Sequence, residues 1–432
     1  MTPQSSFMIL ATVTPSRETE LRQLLASMNH VPGLLNPTNT LIPFGQFARL
    51  HFARIVILDD QTLDDITAYG LPKVNYPTYL AILGDTDGAR DEFFAEMVER
   101  AGEGLRRILA HCEGYAPDAD LLAWIRTHNL SPTANYVNWI GRTVQQVKEE
   151  DALREALEIF LQEHAEFREM EPRPLWETLK RFAVVESQSG RITLTSAEPT
   201  PLRWRIRNLL HLLGIPALFL IGSPLILLAL PFLLIQLRRC EMADPEIAPR
   251  VGPNHANLLS SLEDREVTNQ FSAMGSLKPG WFRRLTMILV LCAIDYTARH
   301  VFNRGRLARV TSIQFARWVF LDDKRRVIFA SNYDGSLESY MDDFINKVGF
   351  GLNVVFSNGI GYPTTNWLVL DGAKDEQRFK DYLRRHQMPT QAWYNAHPGL
   401  TALDKWRNSL IRKGLETTTM TDTEIRDWLR LF

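Results

Sequence analysis

Hydrophobic and polar positions fall into two similar stretches of chain, separated by one long uncharged stretch. In the first, Phe7 to Val13, Ala48 to Leu58 and Tyr79 to Leu83 are rich in aromatic and β-branched residues and predict strands. Leu21, Leu24, Leu25 and Met28 share one helical face across Arg17 to Met28, and a second helix is predicted from Ala89 to about Ala110. In the later stretch the same reasoning predicts strands over Thr268 to Leu277, Ala308 to Leu321 and Val327 to Ser331, with helices over Trp281 to Phe302 and Leu337 to Val348. A final strand is predicted over Asn353 to Ser357. The order strand, helix, strand, strand, helix, strand therefore occurs twice.

Residue identities repeat along with the pattern. Phe52-Ala53-Arg54-Ile55-Val56-Ile57-Leu58-Asp59-Asp60 returns as Phe315-Ala316-Arg317-Trp318-Val319-Phe320-Leu321-Asp322-Asp323. Phe7 and Phe271 each precede a proline by eight residues, and Gly88 and Gly335 each precede a Gly-Tyr pair by 26. Arg126-Thr127-His128 leads to Pro132-Thr133 as Arg384-Arg385-His386 leads to Pro389-Thr390. Marks kept in one order imply a duplicated module. The element order matches the ferredoxin-like unit, so the expected class is α+β: two ferredoxin-like repeats forming an α+β barrel. The expected division is a first module over residues 1–143, a helical linker over 144–202 and a membrane hairpin over 203–239. The second module then covers 240–400, and C-terminal helices cover 401–432.

From Leu209 to Leu237 no residue is charged, while Arg203, Arg205 and Arg207 precede the run and Arg238 and Arg239 follow it. As a straight helix it would be roughly 44 Å long, more than a hydrocarbon core of about 30 Å requires. Pro216, Pro224 and Pro231 interrupt it. A single crossing would place the two modules on opposite sides of a bilayer, so a monotopic or re-entrant hairpin is expected, similar to the proline knot of oil-body proteins but with different spacing. Arginines at both ends put both modules on the cytoplasmic side. Membrane attachment makes the lipid bilayer the expected partner, and no signal peptide is apparent at the N-terminus.

Composition narrows the chemistry. The net charge of −2 and the lack of a binding motif argue against nucleic acid. Cys112, Cys240 and Cys292 form no metal-binding spacing and suit a reducing compartment. Nucleotide and common hydrolase signatures are missing. Arg54 and Arg317 lie mid-strand, with Phe52, Arg54 and Val56 on one face and Phe315, Arg317 and Val319 on its equivalent. Each needs a partner: the aspartate of its own module, Asp87 or Asp334, or an anionic ligand such as a carboxylate or haem propionate. Asp87-Gly88 and Asp334-Gly335 suit helix N-caps. His128 and His386 close helices, where a cation suits the dipole, and with His300 they are candidate axial ligands of a haem. Trp318, Phe320, Tyr333, Tyr340, Phe350 and Trp393 would suit either a pocket or a core.

The stretch from Ile313-Gln314-Phe315-Ala316-Arg317-Trp318 through Asp334-Gly335-Ser336-Leu337-Glu338-Ser339-Tyr340 resembles a group of uncharacterised bacterial membrane-associated proteins. More distantly, the duplicated plan is similar to the dye-decolourising peroxidases and chlorite dismutases. Gly84-x-x-Asp87-Gly88 matches the GxxDG motif of the former, although the second copy lacks the first glycine. The family's order of aspartate, histidine and arginine is not reproduced. This resemblance implies a peroxidase-like oxidoreductase using haem on lipophilic substrates. In it, Arg317 and Asp334 would be catalytic, while His386, His300, His128 and Arg54 would hold the cofactor. The alternatives are a non-catalytic lipid- or ligand-binding scaffold and a cofactor-free monooxygenase.

Overall fold

The computed structural model describes every residue except 304 and 306. Eight strands build two sheets: β1 (Gln4–Thr12), β2 (Leu50–Leu58), β3 (Tyr79–Asp87), β4 (Ala134–Val137), β5 (Thr268–Ser276), β6 (Ile313–Leu321), β7 (Arg326–Asp334) and β8 (Thr390–Asn395). The main helices are α1 (Glu18–Ala26), α2 (Arg90–Leu109), α3 (Leu121–Thr127), α4 (Val144–Glu163), α5 (Pro172–Gln188), α6 (Leu202–Ala243), α7 (Trp281–His300), α8 (Leu337–Phe356), α9 (Glu376–His386), α10 (Ala402–Glu416) and α11 (Asp422–Leu429).

One sheet has the order β1-β3-β2-β8 and the other β5-β7-β6-β4, with all neighbours antiparallel. The protein is thus α+β. Neither sheet closes into the barrel expected from the sequence. The eight strands of the two repeats stay as two separate four-stranded sheets rather than joining into one closed ring. The two open sheets instead stack face to face. Met8, Val56 and Leu83 of one pack on Met274, Val319 and Ile328 of the other. The outer faces carry helices: α1 and α2 cover the first sheet, and α7, α8 and α9 the second.

Each sheet is completed by a strand from the opposite half of the chain. After α3 the chain first lies beside β1, where the Leu10 N–H donates to the His128 carbonyl and the Leu130 N–H to the Met8 carbonyl. Pro132 has no N–H to continue that ladder, and β4 then pairs with β6, placing Asn135 opposite Arg317. The second half does the same. The Met388 N–H donates to the Ser272 carbonyl beside β5, Pro389 follows, and β8 pairs with β2, placing Trp393 opposite Arg54. The strand expected over Asn353 to Ser357 is not one: α8 runs through Phe356. Helical spacing turns Leu352, Val355 and Phe356 inward together. The Asn353 side chain meanwhile binds the carbonyls of Val369 and Asp371.

The expected membrane hairpin is likewise corrected. Leu202–Ala243 is one continuous helix of 42 residues, long and apolar enough to cross a membrane, with Pro216, Pro224 and Pro231 inside it. A proline removes one backbone donor and bends a helix without reversing it. Both ends of α6 are tied to the same body. Near its start, Asn208 accepts from Arg299 Nε at 2.7 Å, the Leu212 carbonyl accepts from Tyr296, and the His211 and His300 rings meet at 2.8 Å. At its end, Glu241 accepts from Thr365 and from the Trp367 and Leu368 N–H groups. Asp244 takes Lys278, Arg283 and the Tyr69 hydroxyl.

Strand exchange makes each half an incomplete sheet on its own. Residues 1–200 expressed alone should aggregate through the open edge of β2, whereas co-expression with residues 245–432 should give a co-purifying pair. Independent, monodisperse halves on size-exclusion chromatography would contradict the exchange.

Candidate functional site

Strand alternation carries Arg54 and Arg317 to equivalent faces, as expected; these are the inner faces, and their partners lie in the opposite sheet. Arg317 forms an ion pair with Asp85 at 2.5 Å and donates to the carbonyls of Phe7 at 2.7 Å and Gly84 at 3.0 Å. Arg54 donates to the Phe271 carbonyl at 2.7 Å, the Ser331 carbonyl at 2.8 Å, Ser272 Oγ and Asn332 Oδ1. The two clusters correspond, with Asp85 in one matched by Asn332 in the other and Ser272 Oγ as an additional acceptor for Arg54. Burial, followed by the like charge of Arg317, disfavours the charged form of Arg54. Burial acts in the same direction on Arg317, and Asp85 opposes it. Neither Asp87 nor Asp334 is the partner, and the guanidinium groups join sheet to sheet.

Asp87 and Asp334 are caps, but not of the helices that follow them directly. Asp87 Oδ2 accepts from the Val144 N–H at 2.8 Å, and Asp334 Oδ2 from the Ala402 N–H at 2.6 Å. They therefore sit at the positive ends of α4 and α10. Asp334 Oδ1 also accepts from Thr268 and Gln314. Burial raises its carboxyl above the usual range, against the Ala402 N–H. Arg317 lies opposite Ala330, four positions from Asp334 along β7, or roughly 13 Å of strand. The two proposed catalytic residues do not converge.

The histidines stand in three separate neighbourhoods. His128 and His386 donate from Nδ1 to the carbonyls four residues earlier, Trp124 at 2.9 Å and Tyr382 at 2.8 Å, closing α3 and α9. His128 also stacks on Trp124. His386 is buried with its other edge against Gly275, where even a methyl group would meet the ring at 2.8 Å. A cavity of about 40 Å³ adjoins it. His300 joins α7 to α6 through His211. The three candidate ligands are thus not brought together around one space.

Residues not singled out in the sequence form a polar junction where the crossing strands meet. His51 bridges Asp87 at 2.9 Å and His397 at 3.2 Å. Lys405 donates to Gln314, which in turn binds Asp334. The space enclosed is about 40 Å³, room for a water or so and no substrate. The Lys405 ammonium is pushed down to about 7, chiefly by burial.

Larger spaces lie elsewhere, among them a polar cleft of about 770 Å³ lined by Arg90, Asn135, Arg203, Asp295 and Arg299 and one that is almost wholly apolar. Between the outer face of the second sheet and α7, α8 and α9 is a cavity of about 270 Å³, near the lower end for small-molecule sites. Phe271, Trp318 and Phe329 form its floor, and Met341, Phe344 and Leu352 of α8 a wall. α8 is broken at Val348, where the backbone leaves helical values between Lys347 and Gly349. Phe350, 66% exposed, stands at the lip of the cavity. Trp318 keeps its buried indole N–H without a partner. Of the aromatics flagged from sequence, Trp318, Tyr340 and Phe350 line this space. No protein-family model matches the chain, and no curated protein matches it significantly.

Two outcomes follow from the charged clusters. Arg317→Met should destabilise the fold by about 3–5 kcal/mol by stranding Asp85, and adding Asp85→Asn should restore part of it, as measured by denaturant unfolding. The folded-state pKa of Lys405 lies below its ordinary 10.5, so the unfolded chain binds more protons between those values. Stability should rise as pH climbs from about 7 towards 10, and Lys405→Met should flatten that rise.

Proposed function

We propose that this is a membrane-attached, non-catalytic protein that holds a lipophilic small molecule in its second half. The observation that carries this reading is the cavity behind α8. Its wall is almost wholly apolar. A floor of Phe271, Trp318 and Phe329 and a wall of Met341, Phe344 and Leu352 would suit a guest with a hydrocarbon body. The break at Val348 and the exposed Phe350 mark where a guest would enter. α7 carries Trp281, Leu285 and Leu289 as an exposed apolar stripe, which suits a hydrocarbon surrounding better than water.

The two sheets are read as copies of one ferredoxin-like unit whose fourth strands have been exchanged. The matching strand orders, the reciprocal arginines and the paired caps Asp87 and Asp334 support this. Interlocked halves belong on one side of a membrane. With both ends of α6 fastened to that body, the helix would lie along one leaflet instead of crossing. Its diameter of about 10–12 Å fits half of a hydrocarbon core of about 30 Å. A peroxidase would need Arg317, Asp334 and a histidine around one haem, and their separation is why the binding role is preferred.

The test is organic extraction and native mass spectrometry of protein purified in mild detergent. A single lipophilic species near one per chain is expected, and Val355→Trp, which fills the cavity, should lose at least tenfold in occupancy. A Soret band, or a chain that neither carries nor takes up lipophiles, would overturn the reading.

A further inference from the structure

The hairpin tip that follows α8 is built in an unusual way. Thr365–Asn366 pairs with Leu370–Asp371, and the residues between them turn with Trp367 at φ 54° and Leu368 at φ 65°. A tryptophan and a leucine in the left-handed region are strained, at roughly 1–3 kcal/mol each. The strain is held by a single carboxylate: Glu241 accepts from both strained N–H groups, at 2.9 and 2.7 Å, and from Thr365. What the turn presents is apolar. Trp367 and Leu370 are each 48% exposed and Val369 40%. A polar Gly- or Asn-containing turn would make the same hairpin without strain and without exposing hydrocarbon. Glu241 belongs to the last turn of α6, just after Arg238 and Arg239, so the tip sits where the apolar helix ends.

We propose that the Trp367–Leu370 tip is a second membrane contact, seated in the boundary between headgroups and acyl chains beside the exit of α6. The proposal rests on the membrane reading of that helix. Continuity with the exposed surface of α6 identifies lipid as the partner. Tryptophan favours that depth; Arg238 pairs with Glu241 at 3.2 Å, and Arg239 would face the headgroups. Glu241 is a positioning residue that fixes how far the tip reaches beyond the helix.

The experiment uses full-length protein without native cysteines, carrying a bimane label at Val369→Cys or, separately, at Leu220→Cys within α6, reconstituted into phosphatidylcholine vesicles. The label at 369 should shift to the blue relative to detergent-free unfolded chain. Lipids with a nitroxide about 5–10 Å below the headgroups should quench it more than lipids labelled at the chain ends. Adding Glu241→Gln should weaken that quenching while leaving the label at 220 unchanged. If 220 is quenched and 369 is not, the tip proposal fails alone. If neither is quenched, the membrane reading fails with it. A blue shift at 369 that no nitroxide lipid quenches would mean a protein contact, such as a second copy, and would also overturn the proposal.

Discussion

A strand that leaves the edge of its sheet must satisfy its backbone elsewhere, and both fourth strands of this chain do so on the opposite sheet. Pro132 and Pro389 end the first ladder, β4 and β8 begin the second, and the halves become inseparable. The two arginines follow from that exchange. Once the sheets stack, Arg54 and Arg317 are enclosed between them and can be satisfied only by carbonyls and side chains of the facing sheet. A buried guanidinium with geometry this complete is weak evidence for net stabilisation and better evidence for a fixed register between the sheets. The caps complete the arrangement: Asp87 and Asp334 receive the helices that the crossing strands lead into.

The same exchange governs what α6 can do. A helix that joins two independent domains is free to carry the second across a bilayer. Here the strands before and after it share sheets, so its ends stay on one body, fastened through Asn208, His211, Glu241 and Asp244. Between those anchors the helix is apolar on every side and largely exposed. Such a surface calls for hydrocarbon. The helix is fastened to the half of the protein that contains the apolar cavity through Arg299, Tyr296, His300 and Thr365.

Much of the fold was legible in the chain. The repeat of Phe52–Asp60 in Phe315–Asp323 located equivalent strands, and alternation put Arg54 and Arg317 on equivalent faces. Pairing was not legible, because a strand's pattern states which face is buried and not which neighbour it joins. The partners of the arginines were therefore sought in the wrong sheet. Asn353 to Ser357 reads as a strand by composition, but a run of five apolar-rich residues does not distinguish a strand from the end of a buried helix. The prolines of α6 suggested a reversal where the helix continues. The cavity was legible only as a surplus of aromatics, since a pocket and a core draw on the same residues. The polar junction of His51, His397 and Lys405 left no local signal, being assembled from positions up to 354 residues apart in the sequence.

The most direct test of the account is the sidedness of the two halves. Cysteine-free protein would be reconstituted into sealed vesicles with a single cysteine at Glu99→Cys or at Lys413→Cys, one exposed position before α6 and one after it. A membrane-impermeant maleimide applied from outside should label both to the same extent in a given vesicle population. Complementary labelling, with one position reached only after the vesicles are opened, would mean that α6 crosses the bilayer and that the exchanged sheets do not exist in the membrane.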